Sequence, residues 1–158
     1  MIKFFEYNWQ VRDEWFDWCN QLTIEELLID RKGGVGKILY TLFHIIDVEY
    51  SWIRGIQGKE DVVFQFADYN TLEKVKSLSD QLRIELAGFL KTDLSDLKEL
   101  ILSVPWDEEE YNVNDILHHI IAHEIHHIGQ LSVWARELEL HPVSANLVGR
   151  ELKSIQSY

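Results

Sequence analysis

Five of the seven histidines in this 158-residue chain lie close together, at His118, His119, His123, His126 and His127. On a helix each residue advances about 100°, so with His119 at zero His123 falls at about 40° and His127 at about 80°. The apolar stripe of Ile116, Ile120, Leu131, Ala135 and Leu138 covers about 60° to about 160° on the same count. His123 and His127 therefore sit one turn apart on the edge of a core-facing surface. His118 and His126, at about 260° and about 340°, face away from it, and His141 is read as solvent-facing with them. Two imidazoles four residues apart lie one above the other and form a clamp for a metal ion. Catalytic zinc sites take three protein ligands and leave one position for water or substrate, so the third ligand has to come from another helix. His44 is the candidate: it is the only histidine outside the last third of the chain, and it lies at the margin of its own stripe, between Tyr40 and Val48. A lone histidine is more often a hydrogen-bonded rim residue, so spacing alone leaves the role of His44 open. His119 is a fourth imidazole near the pair, or a partner to it.

His123-Glu-Ile-His-His127 also fits His-Glu-x-x-His, the zinc-protease pattern in which the glutamate activates water. The extended form of that motif wants a glycine where Gln130 stands and a histidine where Val133 stands. Glu137, Glu139 and Glu151 are formal third ligands, without a supporting motif. Glu124 falls at about 140°, inside the apolar stripe, and also reads as a carboxylate buried against a polar partner. Glu49 is placed similarly on an earlier helix.

The elements that must hold these residues follow from periodicity. Phe4, Phe5, Trp9, Val11, Trp15, Trp18 and Leu22 predict an amphipathic helix from Ile2 to Leu22. Thr23-Ile-Glu-Glu26 is a capping box for a short turn of helix, and Lys32-Gly-Gly-Val-Gly36 is a loop. Ile38, Leu42, Ile45, Glu49, Trp52 and Ile56 mark a second long helix over Val35–Ile56, with Gly55 and Gly58 at its end. A long crossover, Gly58–Asn70, leads to a third helix over Thr71–Lys91, with Leu72, Val75, Leu78, Leu82, Leu86 and Leu90 inward. Residues Thr92–Tyr111 read as irregular, with a short helix over Leu94–Leu102 stopped near Pro105 and Trp106 covering the core. The last helix is capped at Asn112 or Asn114, runs to about Leu140 and stops at Pro142. A further short helix fits the tail after Ser144. Four long helices without a strand pattern predict an all-α four-helix bundle, a single domain over residues 1–158, with the long crossover between helices 2 and 3.

Composition narrows the partners. Fifteen basic residues face 27 acidic ones, for a net charge of −12. A phosphate backbone needs clustered Lys and Arg, so nucleic acid is not the expected partner. No run of about eighteen apolar residues suggests a membrane span, and the N-terminus lacks a secretory signal; a soluble, cytoplasmic protein is the expectation. Cys19 is the single cysteine, so no intrachain disulfide forms. On an aromatic-rich helix it reads as a packed apolar residue rather than a nucleophile.

Three segments together resemble one family. Tyr7-Asn8 opens the first helix, Leu42-Phe-His44-Ile-Ile-Asp-Val-Glu-Tyr-Ser-Trp52 lies on the second, and Leu117-His-His-Ile-Ile-Ala-His123-Glu-Ile-His-His127-Ile-Gly-Gln130 lies on the last. With the tail Leu140-His-Pro-Val-Ser-Ala-Asn-Leu147, they are similar to the DinB/YfiT-like family of metal-binding four-helix bundles, over nearly the whole chain. Gly33-Gly-Val-Gly36 departs from it, where a serine commonly begins the second helix. The resemblance implies one divalent metal ion, zinc or nickel foremost, on His44, His123 and His127, and it argues against Glu124 as a protease base. It also implies a homodimer and a thiol S-transferase that joins a low-molecular-weight thiol, of the bacillithiol or mycothiol kind, to a small electrophile. The competing readings are a non-catalytic, stress-induced metal-binding scaffold and, behind it, a zinc-dependent hydrolase. A scaffold calls for a fourth protein ligand, such as His119 or Glu49, or an aromatic seal over the ion. An enzyme calls for an open coordination position beside a pocket.

Overall fold

A computed structural model describes residues 1–97 and 99–158. Among the described residues five α-helices form: α1 (Ile2–Cys19), α2 (Ile24–Leu28), α3 (Ile38–Ile56), α4 (Leu72–Leu90) and α5 (Val113–Glu137). The four long ones make the bundle, with α1 and α3 each packed against both α4 and α5. A side chain that reaches from α1 to α3 therefore crosses the middle of the bundle.

The core is in two halves. One holds Trp15, Phe16 and Cys19 of α1, Leu39 to Ile46 of α3, Val75 and Leu78 of α4, and Ile128 to Ala135 of α5. The other holds Phe5 and Trp9 of α1, Tyr50 and Ile53 of α3, Leu86 to Leu90 of α4, and Val113 to Ile121 of α5. Helices α1 and α5 thus run one way and α3 and α4 the other. Because α3 and α4 are parallel, the chain must travel back along the bundle between them. Residues 57–71 make that crossover, with a short 3-10 helix at Phe66–Tyr69.

Caps set several boundaries. Thr23 Oγ1 accepts from the Glu26 amide at 3.2 Å while Glu26 Oε2 accepts from the Thr23 amide at 2.8 Å, the reciprocal pair expected of a capping box. Asn112 caps α5, its Oδ1 accepting from the Asn114 amide at 2.9 Å. The second long helix begins at Ile38, not Val35, because Gly33, Gly34 and Gly36 all have positive φ. The loop they form receives α5. A Cβ on Gly33 would come within 2.6 Å of Gln130 Nε2, one on Gly34 within 2.6 Å of Gln130 Oε1, and Trp134 Nε1 donates to the Lys32 carbonyl at 3.1 Å. The glycines that replace a helix cap are thus the seat of Gln130. We expect Gly33→Ala to cost about 1–2 kcal/mol, the strain of a left-handed alanine, and to lower Tm by roughly 2–8 °C in a chain of this length. An unchanged thermal melt would show that the loop relaxes freely.

Among the described residues, the predicted short helix over Leu94–Leu102 does not form at 94–97 or at 99–102. Residue 98 lies outside the described residues; around it the chain makes turns, then a strand β1 (Ile101–Ser103) pairs antiparallel with β2 (Glu110–Asn112). Ile101 faces Asn112, Leu102 faces Tyr111 and Ser103 faces Glu110. Three-residue strands are too short for alternation to register against the acidic turn that joins them, so the hairpin is invisible to pattern. It packs on α3 at Gly55, where an added Cβ would meet Val104 Cγ1 at 3.2 Å and Trp106 Cη2 at 3.5 Å. Trp106 lies against Trp52 with ring centroids 5.3 Å apart, and it stays 43% exposed rather than covering the core. The tail returns along α1: Tyr7 Oη donates to the Ala145 carbonyl at 2.7 Å and Trp18 Nε1 to the His141 carbonyl at 2.8 Å. It ends in one 3-10 turn, Ile155–Ser157.

Candidate metal centre

At the junction of the two core halves, α3 and α5 bring three imidazoles to one point. His123 Nε2 lies 3.1 Å from His44 Nε2 and 3.1 Å from His127 Nε2. The ligand atoms of all three lie within 4.8 Å of one another. The i, i+4 pair comes from the edge of the α5 core face, as its helical angle requires, and His44 meets it from α3. His127 is buried, while His44 and His123 are half-buried and keep one side toward solvent. Tyr40, one turn before His44, stacks on its ring at 6.2 Å and 28°.

Burial lowers the pKa of His44, and burial together with the neighbouring imidazoles pushes His123 down to about 3 and His127 down to about 4, from an ordinary 6.5. The three rings are neutral at pH 7, which leaves a lone pair on each to share. The nitrogen of His123 cannot satisfy both neighbours, since a neutral Nε2 either donates one hydrogen bond or accepts one. A divalent ion held by His44, His123 and His127 would take up all three lone pairs. With bonds of about 2.0–2.1 Å, two donors to one ion would stand about 3 Å apart or a little more, and His123 Nε2 lies 3.1 Å from each of its neighbours. Donor type, protonation state and spacing all fit a divalent ion. His127 Nδ1 is buried with no hydrogen-bond partner among the described residues, where a ligating histidine ordinarily donates to a carboxylate or carbonyl.

The other residues singled out from the sequence separate cleanly. His118, His119, His126 and His141 are exposed. His119 lies beside the site, its ring centroid 5.7 Å from that of His123, without joining the ligand group. Glu124 and Glu49 point into the bundle and share a cation that periodicity did not flag. Arg12 of α1 donates from Nε to Glu124 Oε1 at 2.8 Å and from Nη2 to Glu124 Oε2 at 2.6 Å. The same Nη2 donates to Glu49 Oε2 at 2.8 Å, and Trp9 Nε1 donates to Glu49 Oε1 at 2.6 Å. Arg12, Glu49 and Glu124 are each no more than 2% exposed. Burial by itself would lower the pKa of Arg12, but the charges of Glu124 and Glu49 outweigh it and raise the value. Every oxygen of both glutamates is engaged, so Glu49 is not a fourth ligand and Glu124 is not a base for water. The His-Glu-x-x-His reading loses its catalytic group to an ion pair. The only hint in the sequence was negative: a charged residue, Arg12, in line with the tryptophans of an inward-facing stripe.

Cys19 is fully buried and its thiol is pushed up to about 12 by desolvation. As a buried thiol with almost no thiolate at neutral pH it is inert. Iodoacetamide at pH 8 is expected to label native protein at under a tenth of the rate in denaturant, a difference that mass spectrometry reads directly. Comparable rates would mean that this end of α1 opens.

The sequence profile of the DinB family matches residues 1–154. The chain is 68% identical over 159 residues to the uncharacterized protein YizA of Bacillus subtilis (strain 168), with 100% of both chains covered. No helix among the described residues is long and apolar enough to cross a membrane.

Proposed function

Since this chain belongs to the DinB family, we propose that it holds one divalent metal ion, zinc or nickel, on His44, His123 and His127, and that it joins a low-molecular-weight thiol of the bacillithiol type to small electrophiles. The observation that supports this best is the convergence of three neutral imidazole nitrogens with no fourth protein ligand among the described residues. An ion bound there remains formally dicationic and lowers the pKa of a thiol or water that reaches it.

The chain's own residues do the positioning. The clamp on α5 and His44 on α3 hold the donor atoms in register, and Tyr40 restrains the His44 ring. Arg12 ties α5 to α1 through Glu124 and to α3 through Glu49, so the two helices that carry the ligands are pinned to one cation. Half-buried His44 and His123 leave a face through which a small thiol enters. In the reaction the thiolate sulfur attacks an electrophilic carbon; a C–S bond forms, the leaving group departs with the bonding electrons, and the thiol proton passes to solvent. Imidazole sets suit zinc, nickel, copper and iron alike, so metal analysis of untagged protein comes first. Conjugation of bacillithiol to a chromogenic electrophile is then followed with and without the ion. Ion-dependent turnover supports the reading. Stoichiometric metal with no turnover across a panel of thiols and electrophiles refutes the transferase and leaves a metal-binding scaffold. A homodimer is the assembly proposed with it, which sedimentation measures.

A further inference from the structure

One helical turn before His123, the surface holds a recess of about 260 Å³ lined by Trp52, Tyr111, Asp115, Ile116 and His119. Its walls are mostly aromatic and meet edge to face: Trp52 and Tyr111 have centroids 5.5 Å apart and are perpendicular at 89°, and Trp52 and His119 lie 5.8 Å apart at 71°. Trp106 backs Trp52 from the hairpin at 5.3 Å and 81°. Tyr111 is held in place by its own hydroxyl, which donates to Asp107 Oδ2 at 2.6 Å. Perpendicular rings cannot stack a flat ligand between them. They offer instead two π faces to a compact group in the corner, and a π face attracts positive charge.

The electrostatics point the same way. Asp115 is exposed at the rim of the recess and has no hydrogen bond or ion pair with any described residue. The hairpin turn beside it carries Asp107, Glu108, Glu109 and Glu110 in succession, and the whole chain has a net charge of −12. No lysine or arginine lines the recess. Asp115 also lies in the first turn of α5, where an acid is favoured by the helix dipole. That accounts for the carboxylate but not for three aromatic walls around it.

We propose that this recess binds a small alkylammonium cation, its methyl or methylene groups against Trp52 and Tyr111 and its charge facing Asp115. The site is distinct from the histidine triad and does not depend on what the triad binds. It is read with choline and with 3,3-dimethylbutanol, the neutral isostere in which carbon replaces the ammonium nitrogen. Full-length protein is titrated by calorimetry, with the Trp52 indole resonance followed by NMR. Choline is expected to bind about tenfold more tightly than the isostere, the discrimination of a partly desolvated cation–π site. Asp115→Asn and Trp52→Leu are each expected to remove most of that preference, while His123→Ala leaves it intact. Retention of the wild-type far-UV spectrum and melting temperature in Asp115→Asn shows that the fold is not the cause. Equal affinity for the two ligands, no shift of the Trp52 resonance, or unchanged choline binding in Asp115→Asn would overturn the proposal. Loss of cation binding in His123→Ala would place the cation at the triad instead.

Discussion

Protein with His123 replaced by alanine is expected to lose the thermal stabilisation that zinc or nickel confers on the wild type. His123 Nε2 is the one donor 3.1 Å from both of the others, so its removal leaves His44 and His127 without the nitrogen that joins them. Metal that binds only the folded state stabilises it by about 2.7 kcal/mol at a free concentration one hundred times Kd. In a chain of this size that is roughly 5–10 °C in Tm. The variant should show a shift near zero at the same concentration, and His44→Ala should behave alike, since two imidazoles make a far weaker site than three. His118→Ala is the matched control: its ring is exposed and its Nδ1 lies 2.7 Å from the Asn114 carbonyl, away from the cluster. The result to look for is a metal-induced shift and a metal content that both vanish in the two variants and persist in the control. A full shift in His44→Ala would remove α3 from the site and return the α5 pair to a two-ligand clamp.

The second large effect concerns Arg12. Replacing it with methionine keeps much of the volume but strands Glu49 and Glu124, each 2% exposed or less. Breaking a buried ion pair from one side costs about 3–5 kcal/mol, because an uncompensated charge is left in the core. That is roughly 6–20 °C in Tm for a domain of this length. The effect carries a pH signature. The Glu124 pKa is raised, first by burial and against the opposing charge of Arg12; without Arg12 it rises further. A carboxyl whose folded pKa lies above its unfolded value takes up a proton on folding. Its presence therefore destabilises most above the folded pKa and least below the unfolded one. The penalty of Arg12→Met should shrink as pH falls from about 8 to about 5, which chemical denaturation at several pH values would resolve. Adding Glu49→Gln and Glu124→Gln to Arg12→Met should recover most of the loss. A pH-independent penalty would assign the damage to packing rather than charge.

These two results probe neighbouring layers of one assembly. Arg12 reaches α3 and α5 from inside the bundle, while the triad joins the same two helices nearer the surface. Glu124 adjoins His123 in sequence, and the side chains leave α5 toward different partners because successive residues are turned by about 100°. Weakening the inner layer is accordingly expected to loosen the outer one, so Arg12→Met should also bind metal less tightly than wild type.

Much of this was legible in residue order. The 3.6-residue periodicity places the four long helices, and the spacing of His119, His123 and His127 puts a two-imidazole clamp on the core edge of the last one, since helical angle follows from sequence alone. Thr23-Ile-Glu-Glu26 and Asn112 cap where expected, because capping bonds span only two or three residues. What depends on partners far along the chain was not legible. Nothing local tells that Arg12 meets Glu124 across 112 positions, and so nothing local distinguishes a buried ion pair from a protease base. The same holds for the hairpin, whose three-residue strands carry no pattern of their own and whose turn packs on α3 at Gly55, beside Val104 and Trp106. That docking builds the aromatic recess. The histidine spacing determined two donors of the candidate metal centre; the packing of α3 against α5 decided that His44 stands where a third is needed, and the packing of α1 decided that Glu124 does not.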